Sequence, residues 1–565
     1  MHSNTSRRTF VKGLAAGGLL GGLGLWRTPV WAVTSPGEPQ VLAGTDFDLL
    51  IGETPVNITG NPRTAMTING GIPGPLLRWR EGDTVTLRVK NKLNADTSIH
   101  WHGILLPANM DGVPGLSFHG IEPDGMYVYQ FKVRQNGTYW YHSHSGFQEQ
   151  SGVYGPLVID AKEPEPFQYD RDYVVMLTDW TDEDPVSLMK TLKKQSDYYN
   201  YNKPTVGDFI HDVSEKGWGS TVADRKMWAE MKMNPTDLAD VSGATYTYLM
   251  NGQAPNSNWT GVFRPGEKLR LRFINGSGMT YFDVRIPGLK MTVVAADGLH
   301  VKPVSVDEFR IAVAETYDVI VEPTEAAYTL FAQSMDRTGF ARGTLAAKAG
   351  LSPPVPPLDP RPLVTMDDMG MGGMDHGSMA GMDHSAMAMP GMQSHPETEK
   401  DNPLVDMQAM TTAPKLDDPG LGLRNNGRRV LTYSDLRSTF EDPDGRDPSR
   451  TIELHLTGHM EKFAWSFNGV KFSDAEPVRL KYGERVRVVL VNDTMMTHPI
   501  HLHGMWSDLE DENGEFMVRK HTIDMPPGSR RSYRVTADAL GRWAYHCHLL
   551  YHMEMGMFRE VRVDE

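Results

Sequence analysis

The sequence predicts an all-β protein of three consecutive β-sandwich domains, and three observations carry that reading. A unit that begins with glycine and reaches asparagine nine residues later occurs three times, at Gly82/Asn91, Gly266/Asn275 and Gly483/Asn492. Between those residues apolar and polar positions alternate, as at Val85, Leu87 and Val89, which is the two-residue period of a strand with one buried face. The composition, 55 Gly and 38 Pro in 565 residues, suits many short strands joined by turns, with almost no long helical pattern. A chain of this length exceeds what one hydrophobic core supports.

Residues 1–32 precede the first unit. "SRRTFVKGLAAGGLLGGLGLW" sets Arg7, Arg8, Phe10 and Lys12 ahead of a glycine-diluted apolar run that ends at "VWA", a small-residue cleavage pattern near Ala32. This reads as a twin-arginine signal peptide and predicts export to the periplasm. The run is too short and glycine-rich for a membrane span. No later segment approaches about 18 uninterrupted apolar residues, so no transmembrane segment is expected in the mature chain. Removing residues 1–32 takes away four basic and no acidic residues, moving the formal charge from -15 to -19. A surface that acidic disfavours nucleic acid and attracts cations. A single cysteine excludes an internal disulfide despite the oxidising destination. Export in the folded state suits a cofactor inserted beforehand.

The first sandwich is expected over residues 45–165. It contains "RWREGDTVTLRVKNKLNADTSIHWHG" (78–103) and "GTYWYHSH" (137–144). The second, 166–345, carries the copy "GEKLRLRFINGSG" without a histidine pair. Within it, Met227, Met231 and Met233 of "KMWAEMKM" have the spacing of a packed helix face rather than of a ligand patch. The third, 426–565, repeats the first: "RLKYGERVRVVLVNDTMMTHPIHLHG" (479–504) and "GRWAYHCH" (541–548).

Residues 346–425 differ in texture. A Pro-rich stretch (351–362) leads into 366–392, where "GMDHGSMA" is nearly repeated as "GMDHSAMA". Nine methionines fall there, Met366, Met369, Met371, Met374, Met379, Met382, Met387, Met389 and Met392, with His376 and His384. Without core-forming periodicity this Met/His-rich insert is expected to be a mobile linker or flap before the third domain.

The stretch "GRWAYHCHLLYHMEMGM" holds the one cysteine, Cys547, between His546 and His548, with His552 and Met557 following. Neighbours on a strand face opposite ways, so the two histidines point to one side and the thiol to the other. A His₂Cys set with a weak axial methionine is the blue-copper pattern, and His498 of "HPIHLHG" supplies the second imidazole. Four His-x-His pairs remain, His100/His102, His142/His144, His501/His503 and His546/His548. Eight imidazoles from two repeat-related ends suit a multi-metal cluster between the first and third domains. Ser143 stands where Cys547 stands in the other copy, so one thiolate site and one cluster are expected. A lone His-x-His is usually incidental, and zinc also accepts histidine clusters. The four duplicated pairs and the soft sulfur ligands favour copper.

"HWHG", "HSH", "HPIHLHG" and "HCHLLYHMEMGM" resemble the four copper motifs of the multicopper oxidases, and the resemblance spans essentially the whole mature chain. It implies three cupredoxin-like Greek-key sandwiches and four copper ions. By that resemblance His498, Cys547, His552 and Met557 hold the type 1 copper, and His100 and His501 hold type 2. His102, His142, His144, His503, His546 and His548 hold the type 3 pair. Electrons enter at type 1, cross from Cys547 to His546 and His548, and reduce dioxygen to two waters. Asp111, nine residues after His102, matches the family's proton-relaying acid. A second family acid, six residues after the cysteine, is replaced here by Met553; Glu554 is one step out of phase and is read as a surface carboxylate.

The signal, the size and the Met/His-rich insert resemble more particularly the periplasmic copper-resistance oxidases. That implies oxidation of Cu(I) to Cu(II), with the methionines of 366–392 gathering Cu(I), which thioethers prefer. Periplasmic copper carriers are then possible partners. Two other readings stand beside it: a laccase-like oxidase of phenols or other organic reductants, and a periplasmic copper store.

Overall fold

The computed structural model describes residues 39–372 and 392–565. The export signal and Met374, His376, Met379, Met382, His384, Met387 and Met389 lie outside the described residues.

The three glycine-to-asparagine units are the strands Thr84–Asn91, Leu269–Asn275 and Arg485–Asn492. In the first, Val85, Leu87 and Val89 are buried while the residues between them are at least partly exposed, as the alternation requires. The turn before each strand holds its glycine at φ +92°, +90° and +81°, a region that a Cβ makes costly. Each strand ends on a fully buried asparagine. Asn91 Nδ2 donates to the carbonyls of Ala95 (2.8 Å) and Ile121 (2.7 Å), and its Oδ1 accepts from the Leu93 amide at 2.8 Å. Asn492 repeats this with the carbonyls of Met496 and Met525, both at 2.8 Å, and the Thr494 amide at 2.9 Å. Asn275 does the same with Thr280, Ile311 and Ser277. A buried amide with its bonding capacity filled fixes the loop that follows. In the first and last copies that loop leads into the histidine strands His100–His102 and His498–Leu502.

Six sheets form among the described residues, a pair in each third of the chain. One sheet of the first pair runs Val41–Ala43, Leu76–Arg80, Tyr154–Asp160, Gly137–His142, His100–His102. Its counterpart in the last pair runs Val478–Lys481, Phe558–Asp564, Gly541–Cys547, His498–Leu502, Thr522–Met525. The histidine strands occupy equivalent places and registers: His100 pairs with His142, and His501 with His546. Leu76–Arg80 lies parallel to Tyr154–Asp160, and Val478–Lys481 parallel to Phe558–Asp564, so the chain crosses between sheets in Greek-key fashion.

Three helices depart from the expectation of almost no helix. Pro185–Lys194, Val206–Lys216 and Trp218–Met231 lie between Arg171–Thr181 and Tyr246–Met250, which pair directly with each other. Local capping starts two of them: Asp184 accepts from the Ser187 amide with Pro185 in the first turn, and Thr205 with Asp208 forms a capping box. Met231 packs on the core from the last turn of the third helix, while Met233 lies in the core beyond the helix end and Met227 does not pack there, so the three methionines do not share one packed helix face.

The described ends of the Met/His-rich segment correct the expectation of a mobile flap over its whole length. Met369 is fully buried, and Met366 and Met371 pack against the core. The reason is a tight turn: Thr365 and Asp368 cap each other, and the Met371 amide donates to the Met366 carbonyl at 2.9 Å. Lys415 Nζ ties this turn to the last third through the carbonyls of Asp368 (2.6 Å) and Pro527 (2.8 Å). Met392, at the other flank, is exposed.

Candidate metal centres

The strand Gly541–Cys547 ends at the thiol, and the short helix Leu550–Glu554 follows it. Cys547 Sγ lies 3.5 Å from His498 Nδ1 and 3.9 Å from His552 Nδ1, and the two nitrogens are 3.1 Å apart. Met557 is held beside them by the backbone: its carbonyl accepts from the Cys547 amide, and its amide donates to the His552 carbonyl, both at 3.1 Å. All four residues are fully buried. Each imidazole turns its other nitrogen to an oxygen: His498 Nε2 is 2.7 Å from Thr494 Oγ1, and His552 Nε2 is 2.7 Å from Asp240 Oδ2. These outer partners fix the ring orientation and leave Nδ1 free as a metal ligand. Trp465 stacks on His552 with centroids 3.9 Å apart. Burial holds both histidines well below their ordinary pKa, hence neutral, and pushes the Cys547 thiol up; a bound cation reverses the latter by favouring thiolate.

Behind this thiol lie the eight imidazoles of the four pairs. His100 stacks on His503 (centroids 3.9 Å) and His102 on His501 (3.8 Å), so rings from the two ends of the chain interleave. His144, His503 and His546 form one close group, and His100, His501 and His503 another. His102, His142 and His548 have centroids 4.9–5.8 Å apart. The outward nitrogens of five of the eight again meet oxygens, while His102 Nδ1 meets none. His100 Nδ1 donates to the Asp111 carbonyl at 2.8 Å and His501 Nδ1 to the His521 carbonyl at 2.6 Å. His546 Nδ1 donates to the Cys547 carbonyl at 2.9 Å. His503 Nδ1 donates to Asp111 Oδ2 at 2.9 Å, and His142 Nδ1 to Glu149 Oε2 at 2.6 Å. The inward Nε2 atoms of His100, His102, His142, His144, His501 and His548 have no hydrogen-bond partner. Buried polar atoms are rarely orphaned, and six converging imidazole nitrogens suit metal ions. Burial and mutual repulsion hold His102, His142, His144, His501, His503 and His548 well below their ordinary pKa, and His546 at about 3, so neutral donors are ready. The donor set fits copper: thiolate, imidazoles and a thioether in one site, imidazoles alone in the next.

The glycine that closes each "H-x-H-G" has a packing reason. A Cβ on Gly504 would stand 2.4 Å from the Trp543 ring, and one on Gly103 would stand 2.5 Å from the ring of His521.

Asp111 is buried at the end of the turn Ala108–Met110, bonded to two cluster histidines, with Oδ1 lacking a hydrogen-bond partner. Glu554 is exposed, and Met553 packs near Val113, Ala544 and Phe558. Several residues at these sites carry no signal in the sequence. Asp240 is 312 positions from His552, and burial raises its carboxyl to about 8. Glu149 lies seven residues past His142, and burial, then Asp179, pushes it up. His521 groups with His102 and His501 without belonging to a pair motif.

Three family models described as multicopper oxidase match residues 51–164, 171–349 and 445–565. The chain is 80% identical to a copper resistance protein A homolog of Pseudomonas syringae pv. tomato, covering all of both chains. It is 73% identical to copper resistance protein A of Escherichia coli over 99% of each. Among solved structures, Fet3p, titled a multicopper oxidase that functions in iron import, superposes with a TM-score of 0.65 at 19% identity, over 93% of this chain and 91% of that one. The laccase from Botrytis aclada gives 0.62 at 21% identity, over 95% and 89%. At those identities the likeness shows the fold.

Proposed function

Because the chain belongs to the multicopper oxidase family, a family of oxidoreductases, we propose that it is a periplasmic copper-resistance enzyme that oxidises Cu(I) to Cu(II) with dioxygen as acceptor. The full-length likeness to proteins named copper resistance protein A supports the setting, and the twin-arginine pattern of residues 1–32 supports export. His498, Cys547, His552 and axial Met557 would hold type 1 copper. His100 and His501 would hold type 2, and His102, His142, His144, His503, His546 and His548 the type 3 pair. These four coppers, when bound, supply one-electron oxidation of the reductant and four-electron reduction of dioxygen to water. The chain itself orients the imidazoles of His100, His142, His498, His501, His503, His546 and His552 through an outward hydrogen bond on each. Cys547 is peptide-bonded to both His546 and His548, so a covalent path joins the thiol site to the cluster. Asp111, with Oδ2 on His503 Nδ1 and Oδ1 3.3 Å from His100 Nδ1, would take up and return protons.

The observation that favours Cu(I) over an organic reductant is the closure of the thiol site. His498 and His552 are both 0% exposed, with Asp240 and Trp465 covering the latter. An aromatic ring finds no imidazole edge to rest on, whereas an ion needs only side-chain donors along its way. The thioethers of Met374, Met379, Met382, Met387 and Met389, with exposed Met392, are donors that select Cu(I). Met366, Met369 and Met371 are packed and leave this role to the others. Changing those six methionines to leucine removes sulfur and keeps bulk and length. The variant should oxidise Cu(I) with a raised KM and oxidise a phenol as wild type does. Unchanged Cu(I) kinetics would reduce the segment to a linker and bring the laccase-like reading forward.

A further inference from the structure

We infer that His395, Glu399, His455 and Asp493 form a further metal site, apart from the thiol site and the imidazole cluster, for a divalent first-row cation with Cu(II) as its preferred occupant. Their ligand atoms all lie within 4.8 Å of one another. His395 and Glu399 stand four residues apart beside the single turn Glu397–Glu399. His455 and Asp493 come from neighbouring parallel strands, Arg450–His459 and Arg485–Asn492, whose register sets Leu456 beside Asn492. Asp493 follows the repeated asparagine, where the other two copies carry Lys92 and Gly276, so the fold itself does not ask for a carboxylate there.

The orientation of the four side chains carries the argument. Both histidines aim Nδ1 inward: His395 Nδ1 is 3.2 Å from Asp493 Oδ2 and 3.4 Å from Glu399 Oε2, while His455 Nδ1 is 2.6 Å from Asp493 Oδ2 and 3.7 Å from Glu399 Oε1. Four donors about 2.1 Å from one tetrahedral ion stand about 3.4 Å from each other. Both histidines aim Nε2 outward at an oxygen: His395 at the Ala409 carbonyl (3.1 Å), His455 at Glu453 Oε1 (3.2 Å). That is the outer support of a metal-bound imidazole, which fixes the tautomer and leaves the inner nitrogen to the ion. The carboxylates are anchored by their other contacts, Asp493 Oδ1 by the Ala409 amide and Glu399 Oε2 by Gln408 Nε2. Glu399 Oε1 is buried and has no hydrogen-bond partner. The side chains of Glu399 and Asp493 are 0% exposed, that of His455 2%, and that of His395 17%, which leaves one side for entry. Two imidazoles and two carboxylates form a nitrogen–oxygen set without sulfur, which suits Cu(II) or Zn(II) and disfavours Cu(I). The assignment stands independently of which reductant the enzyme uses.

Wild-type enzyme carrying the coppers of the thiol site and the imidazole cluster, washed with EDTA to strip Cu(II) held elsewhere, then incubated with Zn(II), desalted and counted by mass spectrometry, should retain one Zn(II) per chain beyond its copper. X-ray absorption at the zinc edge should show nitrogen and oxygen neighbours without sulfur, and added Cu(II) should displace the zinc. His395→Gln and Glu399→Gln should each lose the extra zinc while keeping copper content and visible spectrum. Glu453→Gln should weaken zinc about 10- to 100-fold. No retained zinc in wild type, sulfur among the zinc neighbours, or retention by both ligand variants would leave the four residues as an ion-paired cluster. If one variant loses its visible spectrum, the other and the wild-type neighbour count decide.

Discussion

A strand turns alternate side chains to opposite faces, so the sulfur of Cys547 meets His498 and His552 while the neighbouring His546 and His548 join the imidazoles behind; on the proposed assignment the sulfur is a copper ligand. Cys547→Ser should therefore abolish the intense visible absorption of the oxidised enzyme, which needs a thiolate–copper bond. His501→Ala should keep that colour and lose oxygen consumption; a blue Cys547→Ser protein or an active His501→Ala protein would undo the respective assignment. Asp111→Asn keeps the shape of a side chain bonded to His503 but cannot relay a proton. Reoxidation of the reduced enzyme should slow about a hundredfold or more at unchanged copper content. Equal reoxidation rates would remove Asp111 from proton delivery. The four His-x-His pairs and the run from Cys547 to Met557 are legible because their spacing is short and, for the pairs, duplicated, whereas Asp111 is expected only from the family resemblance, since position 512 of the other copy is glutamate. Asp240, Glu149 and the His395 tetrad are not legible, since only tertiary packing brings Asp240 to His552 or Asp493 to His395.

The unit that repeats is a strand with a fixed corner at its end, so its asparagine ought to matter equally for stability in every copy but for metal binding only where histidines follow. Asn492→Ala leaves the Met496 and Met525 carbonyls and the Thr494 amide without their partner, next to the loop that ends at His498. Asn275→Ala does the same to Thr280, Ile311 and Ser277 in the copy without ligands. Each should cost about 2–4 kcal/mol. Only Asn492→Ala should also weaken the type 1 absorption; if Asn275→Ala dims it equally, the corner does not position His498. The alternating strands and the glycine–asparagine frame were visible in the sequence because local periodicity encodes them. Of the three helices only the last carries a signal in the sequence, the methionine spacing of "KMWAEMKM"; the first two start at caps that are common polar residues, and the second buries no side chain. Residues 366–371 were misjudged because their burial comes from docking against distant loops, not from any local period.

At the scale of the molecule, the thirds are joined by charge as well as by histidines. Glu165, in the connection after the first sandwich, grips Arg270 of the middle third at 2.7 Å and His300 at 3.3 Å. Burial pushes its carboxyl up, but the His300 hydrogen bond and the Arg270 guanidinium outweigh that and hold it at about 2. A depressed carboxylate stabilises the fold above its ordinary pKa, and that contribution drains away as pH falls from about 4.5 toward 2. Glu165→Gln should lower the unfolding midpoint at pH 7 and flatten its decline in acid; parallel curves for variant and wild type would show that this joint carries no net stability.

The middle and last thirds meet at Lys520, whose buried ammonium lies 3.0 Å from Asp297 and 3.1 Å from Glu315. The first and last thirds meet at the eight imidazoles, which stack across the boundary with orphaned nitrogens facing inward. Two joints of such different chemistry ought to fail under different conditions. Copper bound to the native chain and not to the unfolded one stabilises by mass action, so its removal should lower the midpoint steeply. The docking at Lys520 does not involve those ligands, and a copper-depleted chain should keep its middle and last thirds together. Lys520→Met strands two buried carboxylates and should cost about 3–5 kcal/mol whether copper is present or not. Calorimetry of wild type and Lys520→Met, each with and without copper, separates the joints. Additive losses would show two independent clasps; a Lys520→Met effect that vanishes without copper would mean that the ion cluster acts through the imidazoles, by way of the adjoining His521.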